Sequence, residues 1–246
     1  MKNSYFLQAL FPGAALALFG CLTAAPQSTQ TSTQDRFLPA HALSQSLTAE
    51  PALAKKLQSQ SRIAISVAAG NFFGDANRAL VTGYAVGSGG AIAVQRGSAQ
   101  LPLPGVVDGV EPFSQNATFI DVGMRPDFLV SADINQDGHR DLMVATRGGS
   151  QVMVLEGDGQ GGFTPHAPFS VNGRIAGIEP WRDSSAAQQI AVAVCRQRCS
   201  VDLYQTGGTR LASIPIDDTI TILKVARLNG GAADDIVAGG ASTLAV

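Results

Sequence analysis

Short aliphatic and β-branched runs, separated by turns rich in glycine, asparagine and aspartate, make up the chain from Ser61 onward. Such runs predict strands, because branched side chains pack well on a pleated surface and glycine enters positive-φ turn positions without steric cost. Upstream, four leucines between His41 and Gln60 have a spacing compatible with a short helix interrupted near Pro51. The pattern therefore predicts an all-β region preceded by a short helical segment.

The strand pattern repeats along the chain. Its best copy spans residues 128–163, and a copy at residues 223–238 aligns with it without a gap at an offset of 94 residues. An intermediate copy occupies residues 175–194, and a weaker copy at residues 65–81 lies 62 residues before the best one. The copies therefore recur at intervals that include two of about 47 residues.

Repeats of about 40 to 50 residues built from strands and turns are typical of β-propeller blades, because one small sheet cannot bury its face without a neighbour. We therefore predict a partial propeller of about four blades over residues 61–246. A β-sandwich also contains many short strands, but it would not repeat the same turn chemistry at a constant offset. The chain ends inside a predicted hairpin, so we expect an incomplete last blade, which means either a truncated product or completion by another chain.

One loop carries residues suited to calcium. Oxygen-bearing side chains occupy positions 1, 3, 5 and 9 of the segment Asp133-Ile-Asn135-Gln-Asp137-Gly-His139-Arg-Asp141. Calcium takes six to eight oxygen ligands at about 2.3 to 2.6 Å, and a glycine turn brings alternating ligands to one centre. An EF-hand is excluded because position 12 is Val144 instead of glutamate. The alternative is a solvated turn, which would leave three crowded carboxylates unneutralised.

This loop, followed by a strand pair and Gly157-Asp-Gly-Gln-Gly-Gly-Phe163, resembles the FG-GAP/VCBS repeat family, which includes the propeller blades of integrin α-subunits. The resemblance implies that Asp133, Asn135, Asp137, the His139 carbonyl and Asp141 bind Ca²⁺. It also implies a calcium-stabilised, non-catalytic module that binds protein or glycan partners at the cell surface. The other three copies lack most of these acidic positions, so we expect no calcium there.

The first 25 residues predict export. Lys2 precedes an apolar stretch that is too short and too broken by Pro12 and Gly13 for a typical membrane anchor, so a signal peptide is favoured. Cleavage before Cys21 would give a lipid-anchored protein, and cleavage after Ala25 would give a free one. We predict a tether with the short helix over residues 26–60, and a periplasmic, outer-membrane-anchored or extracellular location.

Two further cysteines, Cys195 and Cys199, follow one predicted strand and precede another. Their spacing across a short hairpin favours a local disulfide, which suits an oxidising compartment. A zinc site would need two more ligands, and a redox-active pair usually has two intervening residues instead of three.

The net charge and the composition exclude some classes of function. The net charge of −2 leaves no basic face for nucleic acid. We find no nucleophile elbow, phosphate loop or two-histidine metal box in the sequence, so a catalytic site is not predicted. An accessory or remnant propeller of a calcium-dependent polysaccharide-degrading enzyme remains an alternative, although an aromatic share of 6% offers little platform for sugars. A truncated, non-functional product is a further alternative.

Overall fold

The computed structural model describes residues 46–98, 113–242 and 244–246, and these contain one α-helix and four β-sheets. The predicted signal peptide, with Cys21, and residues 26–45 of the predicted tether lie outside the described residues. Within the described residues, no helix is both long and apolar enough to span a membrane.

The first sheet is an antiparallel meander with one added parallel strand. Its meander comprises β2 (Arg62–Gly70), β3 (Ala79–Val86), β4 (Gly89–Gly97) and β5 (Phe113–Asp121). Strand β1 (Ser46–Thr48) pairs in parallel with β5 at the outer edge. Strand β1 therefore belongs to the first sheet although it precedes the four meander strands in the sequence.

The remaining three sheets are antiparallel. The second consists of β6 (Phe128–Ala132), β7 (Asp141–Ala145), β8 (Gln151–Gly157), β9 (Phe163–Pro165) and β10 (Phe169–Ser170), and both β9 and β10 pair with β8. The third consists of β11 (Arg174–Arg182), β12 (Gln188–Cys195), β13 (Cys199–Tyr204) and β14 (Arg210–Ile216). The fourth consists of β15 (Ile222–Ala226), β16 (Asp235–Gly239) and β17 (Leu244–Ala245). The Cys195–Cys199 disulfide joins β12 to β13 at their hairpin, as the sequence predicted.

The four sequence copies occupy equivalent places in the four sheets. Each copy contains the hairpin formed by the first two meander strands of its sheet, and the second of these strands are β3, β7, β12 and β16. The first strands of successive sheets contact one another, β2 with β6, β6 with β11 and β11 with β15. The structure is therefore a four-blade β-propeller arrangement, which confirms the predicted fold class. The longer first interval reflects the long strand β5 and the connection that leads to it.

The core lies between successive sheets, where both faces of each inner sheet are apolar. On β7, Leu142 packs toward the first sheet and the next residue, Met143, packs toward the third, and both side chains are fully buried. Successive strand side chains point to opposite faces. A strand covered on both sides therefore reads as the continuous apolar run 142–145 instead of an alternating one.

Helix α1 (Pro51–Ser59) covers the face of the first sheet that points away from the second sheet. Leu53 and Leu57 are buried there, against side chains that include Val86 and Phe119. The sequence predicted a helix interrupted near Pro51, whereas the structure begins the helix at that residue. Proline fits the first helical turn because the backbone N–H that it lacks would have no partner there.

Candidate functional site

The predicted calcium loop connects β6 to β7 at one end of the second sheet. The turn depends on Gly138, whose φ of 89° lies in the left-handed region that favours glycine. All five predicted ligand residues lie on this connection or at the first position of β7. The structure therefore places the predicted residues on one loop and at the first residue of the strand that follows it.

Three side-chain oxygens hold the turn by accepting backbone N–H groups. The Asp133 Oδ2 accepts from Gly138 at 3.0 Å, the Asn135 Oδ1 from Asp137 at 3.1 Å, and the Asp137 Oδ1 from His139 at 2.7 Å. The hydrogen bond from the His139 N–H, with one from the Asn135 amide, lowers the pKa of Asp137. The second oxygen of Asp133, Oδ1, is buried and has no hydrogen-bond partner among the described residues. A buried carboxylate oxygen without a donor needs a partner such as a water molecule or a cation.

Asp141 closes the loop from the β7 side. Its Oδ2 accepts the N–H of Ile134 at 2.8 Å, and its Oδ1 accepts the N–H of Gly157 at 2.9 Å. Burial raises the pKa of Asp141, although these N–H donors oppose the shift. The fourth sheet repeats the contact, since the Asp235 Oδ2 accepts the N–H of Leu228 at 2.8 Å. Asp141 thus has a structural role in shaping the loop, beside the ligand role that the resemblance implies.

The sequence reasoning missed Glu156, on β8, which lies beside the loop. The Asn135 amide donates to the Glu156 Oε1 at 2.8 Å and to the Asp137 Oδ2 at 2.9 Å. The other Glu156 oxygen lies 2.7 Å from the His166 Nε2. The sequence shows only that Glu156 comes one residue before Gly157. The register of β7 and β8 is needed to see that this position lies beside the loop. The amide here separates two carboxylates that would otherwise repel each other.

The loop's donor set suits a hard cation. Carboxylate oxygens, an amide oxygen and a backbone carbonyl are the ligands that calcium prefers. Over residues 46–98, 113–242 and 244–246, no three histidine, cysteine or carboxylate side chains already surround one point. Binding would therefore require the side chains of Asp133, Asn135 and Asp137 to reorient, and the Asp133 Oδ1 is the oxygen of this set that has no hydrogen bond to give up. The residues present fit a calcium ion on these grounds.

Equivalent turns in the other sheets use the same hydrogen bonds with different neighbours. In the first sheet, the Asp75 Oδ1 accepts the N–H of Asn77 at 2.9 Å, but its Oδ2 forms an ion pair with Arg96 at 2.6 Å. In the third sheet, the Asp183 Oδ1 accepts backbone N–H groups within its own turn, from Ser185 at 2.8 Å and Ala187 at 2.9 Å. The absence of calcium from these turns stays a prediction.

Comparisons with known proteins bear on the second and third sheets. The family model described as FG-GAP-like repeat matches residues 133–181, from the predicted calcium loop to the second-last residue of β11. One similar solved structure is titled "Crystal structure of BBS1N in complex with ARL6DN, soaked with lead", with 16% identity and a TM-score of 0.49. That match covers 72% of this chain and 50% of the other, so this chain spans about half the length of that one, and the likeness carries no functional argument. No curated protein matches the chain. Residues 133–181 are therefore similar to an FG-GAP-like repeat and lie within a four-blade β-propeller arrangement.

Proposed function

We propose that this chain is a calcium-stabilised, non-catalytic binding module of an exported protein. The observation that carries the proposal is the β6–β7 loop, where the buried Asp133 Oδ1 lacks a donor and the Asn135 amide bridges the carboxylates of Asp137 and Glu156. A divalent cation would neutralise these charges and fix the loop. Asp133, Asn135, Asp137, the His139 carbonyl and Asp141 would hold the ion, and its role would be structural.

Export is part of the proposal. Residues 1–25 have the pattern of a signal peptide, and Cys21 would carry a lipid anchor if cleavage occurs before it. The Cys195–Cys199 disulfide supports an oxidising compartment, because such bonds persist in secreted and periplasmic proteins. The proposed location is therefore periplasmic, outer-membrane-anchored or extracellular.

Exposed apolar side chains on the fourth sheet support the proposal that this chain binds a protein partner. Phe72 and Ile134 follow the first strands of their sheets and are buried against the next sheet, with 1% and 2% of their surface exposed. Leu228, at the place equivalent to Ile134 in the fourth sheet, is 61% exposed. Ile222 and Leu244 are 60% and 70% exposed. We propose that a sheet of a partner chain packs on this face, since exposed apolar patches of this kind mark interaction surfaces.

Thermal unfolding with and without calcium tests the metal site. At calcium concentrations about 100 times Kd, binding adds about 2.7 kcal/mol to the free energy of unfolding. For a chain of this size, that corresponds to a rise in Tm of about 5 to 11 °C. The variant D137N should lose most of this rise because it removes a ligand charge at the loop.

The matched control is D75N, which changes the equivalent residue of the first sheet and should keep the calcium-induced rise. Both variants alter the same kind of Asp turn, so a general effect of the substitution would affect them alike. Identical melting curves of the unaltered chain with and without calcium would refute the metal site. A calcium response that D137N and D75N lose equally would refute its location.

A further inference from the structure

We propose that a pocket beside the calcium loop binds the carboxylate of an aspartate or glutamate side chain presented by a partner protein. The pocket has a volume of about 210 Å³ and is lined by residues of the second, third and fourth sheets, including Ser131, Arg140 and Arg182. These residues lie where the first strand of each sheet ends and the second begins. The inference rests on the proposed binding function and names its ligand chemistry.

Two unpaired guanidinium groups give the pocket a positive charge. Arg140 and Arg182 are exposed, and neither side chain forms an ion pair or hydrogen bond with the part of the chain that the structure describes. Arg96, by contrast, pairs with Asp75, and Arg227 pairs with Asp234. Arginine binds carboxylates through planar, charge-assisted hydrogen bonds, so two free guanidinium groups at one pocket favour an anionic ligand.

The other polar groups of the pocket do not cancel this charge. The single acidic lining residue is Asp234, whose Oδ2 accepts the backbone N–H of Arg182 at 3.1 Å and whose Oδ1 accepts from the Arg227 Nε at 3.3 Å. Asp234 is thus already engaged. The Ser131 hydroxyl is buried beside Gly70 of the first sheet, so it neither adds to nor cancels the charge of the pocket.

Size and surroundings favour a protein carboxylate over a polysaccharide or a nucleic acid. A pocket of this volume holds one side chain, and the net charge of −2 gives no extended basic surface for a polyanion. Sugar-binding sites use exposed aromatic faces, but the single tryptophan, Trp181, is half-buried against the core between the third and fourth sheets and donates its Nε1–H to the Asp234 carbonyl at 2.7 Å.

The pocket and the calcium loop share a stretch of backbone. Arg140 lies between His139 and Asp141, two of the proposed calcium ligands. An ion that fixes these two residues also restricts the backbone of Arg140, which lowers the entropy lost when its guanidinium binds a carboxylate. We therefore expect calcium to tighten carboxylate binding.

Fluorescence anisotropy with a labelled oligoglutamate peptide at low ionic strength tests the proposal on the chain lacking residues 1–25. We expect saturable binding that R140Q and R182Q each weaken about tenfold, since each removes one charge-assisted contact. The control is R174Q, at the opposite end of β11, about 25 Å away at about 3.3 Å per residue. Arg174 is exposed, and its guanidinium also has no partner in the described ranges, so R174Q should bind as the unaltered chain does.

The outcomes separate this proposal from the metal site. Binding that R140Q and R182Q leave unchanged, or equal binding of oligoglutamine, would overturn the pocket assignment. Arginine-dependent binding of polygalacturonate without binding of the peptide would overturn the protein ligand. If the peptide binds equally with and without calcium and the chain shows no calcium-dependent rise in Tm, the metal proposal fails while the pocket stands. Arginine-independent binding together with a normal calcium response refutes the pocket alone.

Discussion

Truncation of two repeat-equivalent residues should have very different costs. Ile134 and Leu228 are 94 positions apart, and each donates its backbone N–H to the closing aspartate of its loop at 2.8 Å. Ile134 is 2% exposed and packs into the core between the second and third sheets, whereas Leu228 is 61% exposed. The two residues share a place in the repeat and differ in whether a sheet covers them.

The burial of the two side chains determines how much free energy of unfolding each substitution removes. I134A removes three buried carbon groups at about 0.8 kcal/mol each, and the cavity left behind raises the loss to about 3 kcal/mol. That loss lowers Tm by about 6 to 12 °C in a chain of this size. L228A removes carbon groups that are already largely in water, so its free energy of unfolding should change by less than about 0.5 kcal/mol.

Urea denaturation of both variants, followed by circular dichroism, measures the two free energies. Binding of the partner proposed for the fourth sheet should then be weakened by L228A and kept by an exposed substitution elsewhere, such as R174Q. Equal losses of stability in I134A and L228A would refute the reasoning, because the side chain of Leu228 would then be buried in the isolated chain.

Two other substitutions test the outer cover of the first sheet and the buried charge of the third. L57A removes a side chain that anchors helix α1, so we expect a loss of about 2 to 4 kcal/mol and increased binding of the dye ANS to the uncovered face; unchanged ANS fluorescence would contradict this packing. Burial opposes ionisation of Asp202, but hydrogen bonds from Ser213 and Ser200 and the charges of two arginines lower its pKa overall. A depressed folded pKa stabilises the protein above the unfolded value of about 3.9 and loses that effect as the pH falls through the folded value. The loss of about 1.5 to 3 kcal/mol expected in D202N at neutral pH should therefore shrink below about pH 4; a difference that is constant from pH 7 to pH 3 would refute the shifted ionisation.

The repeated strands were predictable because the same residue pattern occurs more than once in the sequence. The offset of 94 residues aligns Asn135 with Asn229 and Asp141 with Asp235, and the structure places the first pair in equivalent loops and the second pair at the first residues of equivalent strands. The loop that we propose to bind calcium could be located because its alternating oxygen-bearing residues and its glycine lie in one stretch of chain, and calcium binding there stays a prediction. Local and periodic patterns of this kind can be recognised in the sequence without knowledge of tertiary contacts.

Features that depend on distant contacts were not predictable. Strand β1 joins β5 across some seventy residues of chain, and three residues carry too little pattern to show that pairing. Glu156 reaches Asn135 only through the register of β7 and β8. Arg140 and Arg182 line one pocket because successive sheets pack together, which the pattern of a single strand does not encode.

Calcium stoichiometry tests the central claim most directly. Isothermal titration of calcium into the metal-free chain lacking residues 1–25 counts the sites, because only the β6–β7 loop combines an unpartnered buried oxygen with a full set of candidate ligands among the described loops. We predict one ion per chain, and none for D137N. No binding by the unaltered chain, or one ion still bound by D137N, would contradict the account.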